Sequence, residues 1–181
     1  MTEGFPTGGA NASSIRSSRL SDIDGIVALY RAVGAAGGGL ARSPDEVTRD
    51  YVRDFLDASL AGGIALVAVD DSDKIIAEIH TRLLGPRALS HVFGDLTIAV
   101  HPSRQGQGLG RRIFSELLTI ARRDCPHVLR IELKSRETNS RAIAMYESLG
   151  FKREGRMENR IRLIDGSLDA DIPMAWHRGG A

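Results

Sequence analysis

Apolar residues along this chain recur with two periods. Ile23, Ile26, Val27, Leu29 and Tyr30 fall on one helical face, with Ser21 or Asp22 as the cap and an end near Val33. Glycines crowd residues 34–39 and stop that helix. Ser43-Pro44-Asp45-Glu46 then predicts a second start: Ser43 as N-cap, Pro44 in the first turn, and Glu46 closing a capping box. Its stripe is Val47, Tyr51, Phe55, Leu56 and Leu60, and Gly62-Gly63 ends it. From there the period shortens to two. Strands are predicted near Ile15-Arg16 and over residues 64–69, 74–84, 91–100, 128–133, 151–154, 160–164 and 172–176, with Asp165-Gly166 as a hairpin turn. In the strand over 74–84, Ile75, Ala77, Ile79 and Leu83 share one face, and Glu78, His80 and Arg82 the other. Further helices are predicted from Leu109 onward and over residues 140–149. Strands and helices in this order give an α/β (α+β) layered domain.

Length and charge narrow the picture. With 181 residues the chain fits one domain over residues 14–177, with a Gly/Ser/Thr/Ala-rich tail over 1–13 and a short tail over 178–181. A formal charge of +1 gives no global field for nucleic acid or a membrane surface. The single cysteine, Cys125, excludes internal disulfides. No basic and apolar leader and no membrane-length apolar run is visible, so a cytoplasmic protein is expected. No His/Cys/Asp spacing suggests a metal, and Asp70, Asp71 and Asp73 read as a solvated turn rather than a calcium loop.

The stretch D-L-T-I-A-V-H-P-S-R-Q-G-Q-G-L-G-R-R over residues 95–112 carries the chemistry. Leu96, Ile98 and Val100 alternate as in a strand, which Pro102 closes. Gly106, Gly108 and Gly110 form a tight turn into a helix. A strand, a glycine loop and a helix N-terminus make an anion site, because unpaired N–H groups and the helix dipole both favour phosphate. Arg111-Arg112 replaces the Lys-Ser/Thr of a Walker loop, and the glycine spacing is wrong for a dinucleotide fingerprint. A tight connection without a ligand is the alternative.

Gln105-Gly106-Gln107-Gly108-Leu109-Gly110 resembles the Q/R-x-x-G-x-G/A signature of the GNAT superfamily of acyl-CoA-dependent N-acyltransferases, and Val100-His101-Pro102 resembles the V-x-P that usually precedes it. A second signature, N-x-x-A-x-x-x-Y-x-x-x-G-F, is matched from Asn139 through Ala142 and Tyr146 to Gly150-Phe151. The clear resemblance spans about a third of the chain, from Asp95 to Phe151. It implies a twisted, mostly antiparallel sheet with two splayed central strands and acetyl-CoA as co-substrate in the cleft between them. By that resemblance the N–H groups of Gln105, Gly106, Gln107, Gly108, Leu109 and Gly110 hold the pyrophosphate. The backbone of Ile98, Ala99 and Val100 pairs with the pantetheine arm, and Asn139 contacts it. Arg111, with Arg104 and Arg112, is a candidate for neutralising phosphate; solvated arginines at a helix start are the alternative.

Transfer to an amine needs a proton donor for the leaving thiolate and an acceptor for the ammonium proton. Tyr146 is the candidate acid, since a phenol has a reference pKa of about 10. A neighbouring backbone N–H such as that of Ile98 is a candidate donor to the developing oxyanion. Asp95 and Glu78 compete as base, against the alternative that Glu78, His80 and Arg82 form a salt-bridged face turned to water. The closing segment, residues 154–174, is similar to the tail of polyamine and related small-amine acetyltransferases. The resemblance therefore implies an N-acetyltransferase acting on a small-molecule primary amine, with a protein N-terminus or lysine as the other acceptor, a non-catalytic acyl-CoA-binding module as the rival class, and a homodimer as a possible assembly.

Overall fold

The computed structural model describes residues 13–37 and 39–179. The expected N-terminal tail lies outside the described residues except for Ser13. Eight strands, β1 (Ser14–Ser17), β2 (Gly63–Val69), β3 (Ile75–Leu83), β4 (Val92–Val100), β5 (Arg130–Arg136), β6 (Lys152–Arg153), β7 (Met157–Arg162) and β8 (Leu168–His177), form one sheet. Their order is β1-β2-β3-β4-β5-β8-β6, with β7 also on β8. All pairs are antiparallel except β4 and β5, which run parallel and are in register only at Val92↔Arg130 and Phe93↔Ile131. Beyond Phe93 the two strands part. The implied splay is therefore present, and it leaves one edge of each strand free.

The four helices are α1 (Ile23–Ala35), α2 (Arg49–Gly62), α3 (Leu109–Asp124) and α4 (Ser140–Ser148). Alternation along β2 shows how they are divided. Ile64, Leu66 and Ala68 join a cluster with Ile113, Phe114, Leu117 and Ile143 of α3 and α4. Ala65, Val67 and Val69 join Ile26, Tyr30, Val52 and Leu56 of α1 and α2 on the opposite face. Each large apolar side chain buried this way contributes roughly 1.5–3 kcal/mol. Among the described residues no helix is long and apolar enough to cross a membrane.

Four expectations are corrected. The capping box at Ser43 and Glu46 forms, with Ser43 N–H donating to Glu46 at 2.8 Å, but it opens only a 3-10 turn over Pro44–Glu46. Val47 then turns extended to bury its side chain completely, and Thr48 caps α2 afresh by accepting from Tyr51 N–H at 3.1 Å. Ile75 leaves the face of Ala77 and Ile79 because the pairing with β2 slips between Ala68 and Val69. The hairpin turn at Asp165-Gly166 forms, with Gly166 at φ +86°, yet β7 begins at Met157 and β8 already at Leu168. Arg178, assigned to a tail, is tied down: its guanidinium donates to the carbonyls of Ala121, Arg122, Cys125 and Val128, closing the end of α3.

Candidate active site

The parting of β4 and β5 opens a cleft of about 660 Å³. The glycine loop forms one end, α4 one wall, and Gly37 and Gly39 after α1 face it from the other side. Gly106 and Gly108 both sit at φ +80°, a left-handed conformation that L side chains adopt only with strain. A Cβ on Gly108 would meet nothing within 4 Å, so the left-handed backbone, not crowding, calls for glycine there, and the space beside it is open. Gly108 is also the N-cap of α3 and offers no side-chain acceptor, so the first N–H groups of the helix keep their positive end for a ligand. Four guanidiniums, Arg104, Arg111, Arg136 and Arg141, line the same cleft, and among the described residues no carboxylate does. A chain with almost no net charge thus concentrates positive charge at one cavity, a donor set suited to a pyrophosphate.

The free edge of β4 is readable from hydrogen bonds. His101 N–H donates to Ile76 O on β3 at 2.9 Å, and alternation then turns Ala99 toward β3 and Ile98 and Val100 toward the cleft. Ala99, expected on the open edge with its neighbours, spends its backbone within the sheet and buries its side chain beneath α1 and α2. Gln105 braces the loop, its side-chain amide donating to Val100 O at 3.0 Å and its N–H to Pro102 O at 3.4 Å. Gln107 reaches back to Ser103 O at 3.0 Å, and Leu109 buries its side chain under the loop. Arg111 donates to Ser148 on α4 at 2.7 Å beside the cleft, whereas Arg112 turns away and holds Ser13 at 2.9 Å.

Asn139 and Tyr146 meet the glycine loop across the cleft. The Asn139 side chain caps α4, accepting from Ala142 N–H at 3.4 Å, and lines the cavity. The Tyr146 ring packs against Phe114 at 5.4 Å and Phe151 at 6.3 Å between centroids, which fixes its direction. Its hydroxyl makes no hydrogen bond among the described residues. Burial pushes the phenol up to about 12, so it stays protonated through the neutral range. Ile98, Val100, Met145 and Ala142 complete the apolar lining around it.

Neither candidate base opens on this cleft. Asp95 sits in a left-handed conformation at φ +52°, where the β3/β4 pairing slips, and holds Arg82 at 2.5 Å in a half-exposed ion pair. Glu78 has no exposed surface. It accepts from Tyr30 O–H at 2.5 Å and lies 3.1 Å from His80 Nδ1, under the Phe55 ring that stacks on His80 at 3.8 Å. The alternative of a solvated, salt-bridged face applies to Arg82 alone. Sequence patterns gave no sign of the Tyr30, Phe55 and His80 cluster, because its members come from three elements and each fits an ordinary helix or strand stripe. Arg136 and Arg141 in the cleft lacked a motif too. Burial pushes the Cys125 thiol up, away from the reactive thiolate.

Known proteins share this fold. The acetyltransferase (GNAT) family model matches residues 36–151, well over half of the chain. The N-alpha-acetyltransferase RimI of Mycobacterium tuberculosis is 44% identical over 71 residues, which cover 39% of this chain and 41% of that protein. The peptidyl-lysine N-acetyltransferase YjaB of Salmonella typhimurium is 29% identical over 147 residues, 80% of this chain and 87% of that one. The match to the mycobacterial relative thus spans less than half of its length. Among solved structures, a GNAT-family acetyltransferase from Streptococcus pneumoniae superposes with a TM-score of 0.83 over 92% of this chain and 100% of its own, at 20% identity. A phosphinothricin acetyltransferase from Sinorhizobium meliloti, solved with acetyl-CoA, gives 0.78 over 92% and 89%, also at 20%. At that identity the structures speak for the fold, and the family match supplies the rest: with its splayed sheet, its glycine loop and its Asn139 and Tyr146 signature, the chain belongs to the acetyltransferase (GNAT) family.

Proposed function

We propose that the chain is an acetyl-CoA-dependent N-acetyltransferase that acylates a primary amine by direct attack. The observation that carries this reading is the single cleft in which a cationic glycine loop, a free strand edge and a protonated phenol converge. Acetyl-CoA supplies the activated acetyl thioester. The first N–H groups of α3, with Arg104 and Arg111 beside them, hold the pyrophosphate. The outward groups of Ile98 and Val100 take the pantetheine arm as a further strand would, beside Asn139. An outward N–H on β4, that of Ile98, donates to the carbonyl oxygen as charge develops there. Tyr146 gives its proton to the leaving thiolate, help that is typically worth ~10²–10⁴-fold.

The named relatives favour a second acceptor class. RimI and YjaB carry names for protein α-amines and lysines, and a 42% identical match over 55 residues carries the name of an L-methionine sulfoximine/L-methionine sulfone acetyltransferase. A peptide amine and a small primary amine therefore both belong in the test, which is acceptor-dependent release of CoA thiol across polyamines, amino acids and peptides. Turnover with one class names the acceptor. Acetyl-CoA binding with no turnover on any of them would instead favour a binding module.

A further inference from the structure

The buried cluster of Tyr30, Glu78 and His80 has the geometry of a proton-accepting relay rather than of a packed core. Glu78 is fully buried, and Tyr30 O–H donates to its Oε2 at 2.5 Å. His80 Nδ1 lies 3.1 Å and 3.2 Å from the two Glu78 oxygens. Tyr30 O–H also lies 3.4 Å from Nδ1; with the Glu78 carboxylate as acceptor, Nδ1 carries the ring proton and Nε2 keeps its lone pair. Nε2 has no protein partner among the described residues. The side chain as a whole keeps 4% of its surface exposed. The ring is held in plane by Phe55, stacked at 3.8 Å and 9°. His80 lies directly across from Thr97 on β4, one strand away from the open β4 edge that faces the cleft.

We infer that His80, held in the Nδ1–H tautomer by Glu78 and Tyr30, takes the proton that the acceptor amine releases, with Glu78 and Tyr30 as positioning residues. The inference rests on the acetyltransferase reading above. The step is a proton transfer alone: the N–H bond of the acceptor ammonium breaks, an Nε2–H bond forms, and the neutral amine attacks. Glu78 offsets the positive charge the ring gains, without itself being protonated. Charged and titratable groups around this cluster are Tyr30 from α1, Tyr51 from α2 with Arg42 over its ring at 4.1 Å, Arg82 from β3 and Asp95 from β4. Burial pushes the Tyr30 phenol well up and the field of Glu78 adds to it, which keeps Tyr30 a donor throughout the working range. Burial also pushes the Tyr51 phenol up, against the opposing pull of Arg42.

The test compares wild type with His80→Gln and Glu78→Gln, using the acceptor identified by CoA release. His80→Gln is expected to lower kcat/KM at pH 7 by ~10²-fold or more, within the range of general-base help, with acetyl-CoA affinity unchanged within about twofold. The deficit should shrink as pH approaches ~10, where an alkyl amine becomes neutral without help. Glu78→Gln should lower kcat/KM at pH 7 by at least ~10-fold, because an amide donor facing Nδ1 favours the other tautomer. A readout independent of turnover is imidazole ¹⁵N NMR of the wild-type protein, which should show His80 as the Nδ1–H tautomer. Wild-type rates in His80→Gln, a deficit that stays constant from pH 7 to 10, or an Nε2–H tautomer would each overturn the assignment while leaving the acetyltransferase reading standing. A wild-type protein that turns over no amine would instead overturn that reading, and the role of His80 with it.

Discussion

The two faces of the sheet make an instructive pair. On the α3/α4 face the cleft is built from two short runs of sequence, the loop around Gly106 and Gly108 and the helix carrying Asn139 and Tyr146, and its polar groups are open and cationic. On the α1/α2 face the polar groups are closed. Glu78, His80 and Tyr30 are at most 3% exposed, and Tyr30 O–H and His80 Nδ1 both meet the Glu78 carboxyl inside an apolar cluster. The open face can bind a large anion because the first N–H groups of α3 have no side-chain cap at Gly108. The closed face holds one imidazole against a carboxyl and a phenol that are already in place, at the cost of desolvating the carboxyl. Binding and proton handling are therefore expected to be separable by mutation.

The largest effect is expected from Gly108→Val. Forcing a β-branched residue to φ +80° costs ~1–3 kcal/mol of backbone strain and fills the space the phosphates need, so acetyl-CoA affinity should fall by ~10²-fold or more in a calorimetric titration. Normal affinity would show that the open face does not bind through this loop. Next comes Tyr146→Phe, with kcat down by ~10²-fold or more, acetyl-CoA affinity nearly unchanged, and thermal stability close to wild type because the hydroxyl has no protein partner among the described residues. With its pKa raised to about 12, Tyr146 is the neutral donor at all lower pH, so it contributes no fall in kcat below about pH 11. The sign for stability is the same: the folded state holds this proton more tightly than the unfolded chain, and stability is lost as pH rises from ~10 through 12.

Effects at Tyr30 and Asp95 should be smaller and of another kind. Tyr30→Phe removes a hydrogen bond to a buried carboxylate and should lower unfolding free energy by ~1–3 kcal/mol in a denaturant melt, with acetyl-CoA affinity unaffected. Asp95→Asn should do least. Its pair with Arg82 is half-exposed and worth up to ~1 kcal/mol, and the acidic limb of the kcat/KM profile should survive. Loss of that limb would move the base from the closed face to Asp95.

The contrast also explains what could be read from the sequence. The strand, loop and helix around Gly108 were legible because one contiguous stretch carries alternation, turn glycines and a helical stripe in succession. Asn139 and Tyr146 were legible through a second contiguous signature. His80 was not, since it reads as one more residue in a strand until the fold lays Phe55 from α2 on its ring and Tyr30 from α1 against Glu78. Likewise the start of α2 was displaced because burying Val47 outweighs continuing the helix from a sound capping box at Ser43. Local chemistry wrote the motifs, and tertiary packing decided the rest.

The most direct measurement is acceptor-dependent release of CoA thiol from acetyl-CoA by the wild-type protein, run beside Tyr146→Phe. Release that needs an amine and falls by ~10²-fold or more in the variant is the predicted result. Release at the same rate in both proteins, or no release while acetyl-CoA still binds, would contradict transfer at this cleft.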